Sequence, residues 1–210
     1  MKVIGISGVA GSGKDTFFSI LQEKINCKRL SLAAELKNDV RSWCVEHYGI
    51  DSISCSREDK EIIRPFLVFH GMQKRRRTQG RYWIDAAHKK ISLLNTIGPN
   101  VDYLVITDIR YCDYEKDEVF WLKNELNGTL VHVSLYEQEE VLVKKEWPRT
   151  KTEKVFAPPV NDEEARNDPK LKREADYIVE WPKISKPSTK ELHESLSPYV
   201  EEFAGWIKNQ

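Results

Sequence analysis

The sequence predicts an α/β fold, a mostly parallel five-stranded sheet between two layers of helices, and three observations carry that expectation. Short apolar runs alternate with amphipathic helical segments along the whole chain, which is the pattern of strands crossed over by helices. Tyr103-Leu104-Val105-Ile106-Thr107 is continuously apolar and β-branched, as a strand covered on both faces must be. The first apolar run ends in glycine-rich sequence and is followed at once by a helical pattern.

Taken in order, Val3, Ile4 and Ile6 form the first strand, and Lys14 to about Ile25 a helix with Phe17, Phe18, Leu21 and Ile25 on one side. Cys27 to Ser31 reads as a second strand and Ala33 to about His47 as a helix. The polar stretch 51–58 is expected to be a loop, with helices over about 58–73 and 81–95. After the strand at 103–107, Val119, Leu122 and Leu126 suggest a helix over about 114–127, stopped by Asn127-Gly128. Thr129 to Ser134 is a strand, then a short helical piece is expected, and Asp176 to Trp181 is a last strand. Ser188 with Glu191 makes a capping box that opens a helix striped by Leu192, Leu196, Tyr199, Val200, Phe203 and Ile207.

The 210 residues fit a single domain spanning 1–210. Thirty-three basic and 33 acidic residues cancel, so the total gives no sign of a polymeric nucleic acid or membrane partner. Four dispersed cysteines without a C-x-x-C pair point to reduced thiols, and neither a signal peptide nor a spanning run is visible; a cytoplasmic protein is expected.

Gly8-Val9-Ala10-Gly11-Ser12-Gly13-Lys14 matches G-x-x-x-x-G-K. Glycines at this spacing let successive backbone N–H groups turn inward around phosphates, the next helix aims its positive end at them, and Lys14 adds a point charge. The spacing alone arises by chance in roughly one chain of this length in twenty. Its place between a strand and a helix is what makes it a phosphate loop, and with it a P-loop NTPase fold. Asp15 follows Lys14 where a Ser or Thr normally reaches magnesium, with Thr16 one place later. Asp15 either ligates Mg²⁺ or favours the helix N-terminus by charge.

Asp108 falls directly after a strand, where ligands of doubly wound sheets gather, so it either supports Mg²⁺ or caps a helix. Arg110 points into the same cleft or out to solvent. Arg64, Arg75, Arg76, Arg77 and Arg81 cluster within eighteen residues. Guanidinium forks grip phosphate oxygens in pairs, as two approaching anionic phosphates require. One or two of Arg75–Arg77 are expected to be solvated bystanders. Tyr82 and Trp83 stack a base or belong to the core. The Pro-rich polar segment at about 147–174, with Arg149, Arg166 and Arg173, is expected to be a cationic lid or a plain surface loop.

These residues resemble a known family. Gly8 to Thr16 reads G-V-A-G-S-G-K-D-T, whose Lys-Asp pair is similar to that of bacteriophage deoxynucleoside monophosphate kinases. Leu32-Ala33 with Leu36-Lys37, Arg64 through Gly71, Arg81-Tyr82-Trp83 and Thr107-Asp108-Ile109-Arg110 resemble further stretches of that family, with Glu115, Asp117 and Glu118 close behind. The resemblance covers about the first 120 residues. It implies a nucleoside-monophosphate-kinase-like fold with an acceptor region over about 33–95, ATP and Mg²⁺ as cofactors, and a deoxynucleoside monophosphate (dNMP) as acceptor. It also implies that Lys14 neutralises phosphate charge, that Asp108 supports the metal, and that Lys37, Arg64, Arg81, Trp83 and Arg110 serve the acceptor or the transferring phosphate. A homodimer is compatible with it. Phosphomevalonate kinases share a similar Lys-Asp loop, which leaves a kinase for another phosphorylated metabolite as the alternative. A nucleotide-binding regulator is a third reading, disfavoured because a switch has no second phosphate for the arginines to hold.

Overall fold

A computed structural model describes residues 1–97, 101–142, 150–185 and 187–210. Arg149 and the neighbouring Pro148, placed by sequence in the lid, lie outside the described residues. Strand β1 (Lys2–Ser7) is followed by helix α1 (Lys14–Lys24), β2 (Cys27–Leu30), α2 (Leu32–Tyr48), α3 (Arg57–Arg77) and α4 (Arg81–Ile97). Then come β3 (Tyr103–Ile106), the short α5 (Glu118–Phe120) continuing as a π-helical turn (Trp121–Glu125), β4 (Thr129–Leu142) and β5 (Thr150–Phe156). Helix α6 (Asp162–Glu174), β6 (Tyr177–Pro182) and α7 (Thr189–Lys208) complete the chain.

Five strands run parallel in the order β2-β3-β1-β4-β6, and the sixth, β5, pairs antiparallel with the far half of β4. The expected sheet is therefore present, with one strand added. Its central strands are apolar on both faces because both are covered. On one face Ile4, Ile6, Val105 and Val133 meet Phe17, Ile20 and Leu21 of α1 and Val200 and Phe203 of α7. On the other, Leu104, Ile106 and Leu130 meet Ile84 and Ile91 of α4, Trp121 and Leu122 of the π-turn and Leu171 of α6. A third, smaller cluster holds Val40 and Cys44 of α2 against Ile63 and Leu67 of α3.

Three expectations change. The helix placed over 114–127 shrinks to Glu118–Glu125 because carboxylates claim the preceding amides. Asp117 accepts from the backbone N–H groups of Asp113 and Tyr114, and Glu118 from those of Arg110 and Tyr111. The short helical piece after Ser134 is instead strand, because β4 continues to Leu142 with β5 as its partner. Within the supposed lid, the described residues form β5 and α6 rather than irregular loop. Helix α6 is capped by Asn161, whose side chain accepts from the Glu164 N–H. The capping box of α7 forms as its sequence requires, Ser188 Oγ accepting from Glu191 N–H while the Glu191 carboxylate accepts from Ser188 N–H.

Candidate active site

The glycine-rich loop leaves β1 at the carboxyl edge of the sheet and wraps the start of α1. Two glycines are obligatory there. At Gly8, φ is +129°, and a Cβ would stand 2.2 Å from the Val133 carbonyl oxygen. At Gly13, φ is +91°, and a Cβ would stand 2.5 Å from the Trp181 ring. That indole supports the loop from β6, donating its N–H to the Ser12 carbonyl at 2.9 Å. Trp181 is fully buried between loop and core, a role its place in an apolar strand gave no reason to suspect.

Lys14 donates to the carbonyls of Gly8 and Val9 at 2.7 and 2.6 Å. Burial, and then the nearby Arg110 guanidinium, lower its pKa to about 8; Glu164, Asp15 and Asp168 oppose that shift. Asp15 binds a partner the sequence did not suggest. Arg29 of β2 donates to it at 2.5 Å and holds Thr107 Oγ1 at 3.0 Å with its Nε. A magnesium ion at Asp15 would have to displace that guanidinium.

Asp108, at the end of β3, is turned toward α2. Its carboxylate accepts from Ser31 Oγ at 2.8 Å and from the N–H groups of Leu32 and Ala33 at 2.9 and 2.8 Å. Two of the orphan amides of α2 are thereby satisfied, and the negative charge sits at the positive end of the helix. Any metal contact by Asp108 competes with three donors. Among the described residues no group of three or more His, Cys, Asp or Glu side chains is placed to hold a metal ion. The donor set therefore fits Mg²⁺ that arrives with nucleotide phosphates and water, not a metal caged by protein.

Beside the loop opens a cleft of about 440 Å³ between α2, α3 and the start of α6. It gathers Lys37, Arg64, Trp83, Asp108 and Arg110, which the sequence scatters over more than seventy positions. Leu36, Leu67 and Met72 supply an apolar wall. Trp83 is 9% exposed and donates its indole N–H to the Gly71 carbonyl at 3.3 Å, so it is both core and cleft wall. Arg64 lies against Glu61 at its exposed rim. The cleft joins the phosphate loop at two points: Arg110, on the cleft wall, is near enough for its charge to lower the pKa of Lys14, and Glu164 of α6 accepts from the Ala10 N–H at 3.1 Å.

Arg81 does not line this cleft. Its guanidinium is held by Asp85 and Glu125. Arg75 lines the cleft but is committed to a bidentate pair with Asp117, at 2.6 and 2.5 Å, with the Tyr111 ring stacked on it. Arg76 and Arg77 are exposed, as bystanders would be. Of the expected lid cations, Arg166 is turned elsewhere, pairing with Asp113 and Glu163. What α6 brings to the cleft is acidic, Glu163 and Glu164, with its capping Asn161.

Two groups to which the sequence assigned no role matter here. Glu118 is buried at the cleft floor, and burial pushes its carboxyl up to about 8 against the pull of Arg75. Asp113 anchors α6. Burial would raise its pKa, but donors from Lys170, Asn167 and Arg166 hold it down at about 2. An Asp four places before a capping Asp and six before the next apolar pair, Val119-Phe120, was the available signal, and it is a weak one.

No helix among the described residues is long and apolar enough to cross a membrane. Neither a protein-family model nor a curated protein matches the chain. Among solved structures the chain is similar to the dephospho-CoA kinase from Campylobacter jejuni, at 15% identity and a TM-score of 0.47, over 99% of this chain and 100% of that one. It is similar also to TT1252 from Thermus thermophilus, at 15% identity and a TM-score of 0.42, over 96% and 97%. Likenesses this remote carry neither substrate nor chemistry to this chain.

Proposed function

We propose that the protein is a P-loop kinase that transfers the terminal phosphoryl group of ATP to a deoxynucleoside monophosphate. The observation that carries this reading is a juxtaposition. A phosphate loop ending in Lys14 opens onto a second cleft lined by the cations Lys37, Arg64 and Arg110, besides the Arg75 committed to Asp117, and by an apolar wall with Trp83. A nucleotide hydrolase used as a switch needs the first feature and not the second. An acceptor with one anionic and one flat apolar end fits the second.

Little acid–base chemistry is required. The attacking atom is a phosphate oxygen, anionic at neutral pH because its second pKa is about 6. The loop amides and Lys14 hold the donor phosphates, Arg110 stands between the two sites, and Arg64 and Lys37 hold the acceptor phosphate in line. Mg²⁺ travelling with ATP neutralises phosphate charge when bound. The β5–α6 segment covers the loop through Glu164, and its opening admits ATP and excludes water on closing.

A coupled ADP-release assay over all deoxy- and ribonucleoside monophosphates and a few phosphorylated metabolites tests the reading. ADP formation that depends on added dNMP is expected. If no nucleoside monophosphate raises turnover above the rate with ATP alone, the acceptor assignment is wrong. Activity on another phosphorylated metabolite would then keep the reaction class and replace the substrate.

A further inference from the structure

Helix α3 has two sides with different work to do. One presents Arg64, Leu67 and Gly71 to the cleft. The other is bare: Ile62 is 66% exposed and Phe69 63%, where a helix facing water ordinarily carries charge. At 100° per residue, Glu58, Ile62, Pro65, Phe69 and Arg76 fall along one stripe. Phe66 borders it and stacks on Trp43 of α2 at 4.4 Å, and Trp43 is itself 40% exposed, so the apolar area continues onto the neighbouring helix.

The ends of the stripe carry opposite charge. Glu58 stands at the amino-terminal end and Arg76, followed by Arg77, at the carboxyl-terminal end. None of the three makes an ion pair among the described residues, while nearby Arg64, Lys74 and Arg75 all do. A helix that is acidic at one end, apolar in the middle and basic at the other is complementary to itself when a second copy lies antiparallel. A two-fold axis crossing α3 at the level of Leu67 sets Glu58 against the partner's Arg76. The same register sets Pro65 against the partner's Phe69, so one alignment satisfies charge and packing together. The helix has 21 residues and is about 30 Å long, enough for the centre of an interface of ordinary size.

We propose that the protein forms a two-fold dimer through the outer face of α3, with Ile62, Phe69 and Trp43 at its centre and the Glu58–Arg76 pairs at its rim. The proposal does not rest on the kinase reading. Because α3 also carries Arg64, the dimer would fix the helix that brings this cation to the cleft.

Sedimentation velocity at low and high micromolar concentration tests it, with circular dichroism to verify folding. Wild type is expected to be a concentration-dependent dimer. Phe69→Glu and Ile62→Glu should each raise the dissociation constant about 30-fold or more, and Glu58→Arg or Arg76→Glu about tenfold. Combining Glu58→Arg with Arg76→Glu should restore the wild-type constant, which only the antiparallel register explains. A monomeric wild type at high micromolar concentration overturns the proposal. So does a dimer indifferent to both apolar substitutions, or a double charge reversal that fails to restore association.

Discussion

Lys14 is the residue on which the proposed phosphate site turns, and its environment makes its charge sensitive to pH. Burial and Arg110 set its pKa at about 8, below the ordinary 10.5. Between those two values the unfolded chain holds the proton and the folded chain releases it, so Lys14 makes stability rise with pH across that window. Phosphate binding has the opposite slope, because it needs the ammonium. Affinity for a non-hydrolysable ATP analogue should therefore weaken above pH 8, by up to about tenfold per pH unit. In Lys14→Ala that dependence should vanish together with turnover, while the melting temperature holds or rises, since a buried charge has been removed. Titration calorimetry at several pH values reads the effect, and equal slopes in wild type and variant would contradict it. The turn of the glycine-rich loop was legible because its geometry is local: seven consecutive residues, Gly8 to Lys14, make the whole of it. Arg81 was not, because its neighbours Asp85 and Glu125 come from one turn and from 44 positions away, and the second is invisible to spacing.

At the scale of elements, the loop between β3 and α5 decides the shape of the cleft floor. Buried Arg75 reaches it from α3 and pairs with Asp117, which also caps α5 and holds the amides of Asp113 and Tyr114. Removing one member of such a pair leaves an uncompensated buried charge. Asp117→Ala should cost about 3–5 kcal/mol in urea unfolding, whereas Arg76→Ala, one residue from Arg75 but exposed, should cost less than about 0.5 kcal/mol. Similar losses in the two variants would mean that Arg75 is not held as described. The sequence showed three arginines in a row and could not rank them. Their order around the helix does: Arg75 faces inward toward a carboxylate 42 positions on, and its two neighbours face water. The β4–β5 pairing escaped for a related reason. Residues 135–142 alternate weakly, and what makes them strand is the partner they find across the sheet.

Across the whole molecule, stability is unevenly spread. The central strands are sealed between two large clusters, whereas α3 is held by the small one around Val40, Cys44, Ile63 and Leu67. Amide exchange should consequently be slowest in β1 and β3 and markedly faster in α3. Measured on the Phe69→Glu variant, self-association cannot mask the difference, and a dNMP should slow α3 because Arg64 and Leu67 line the cleft. Exchange in α3 as slow as in β1 would show a single cooperative unit instead.

What the sequence by itself determined is whatever depends on neighbours along the chain: the alternation that makes a layered parallel sheet, the glycine-rich turn between β1 and α1, the capping box of the last helix. The tertiary structure decided the rest. It turned Asp108 onto α2, Asp15 onto Arg29 and Arg81 away from the cleft, and it set α6 beside the loop. Charged side chains take the counter-charge that folding brings within reach, and sequence spacing holds no record of which one that will be.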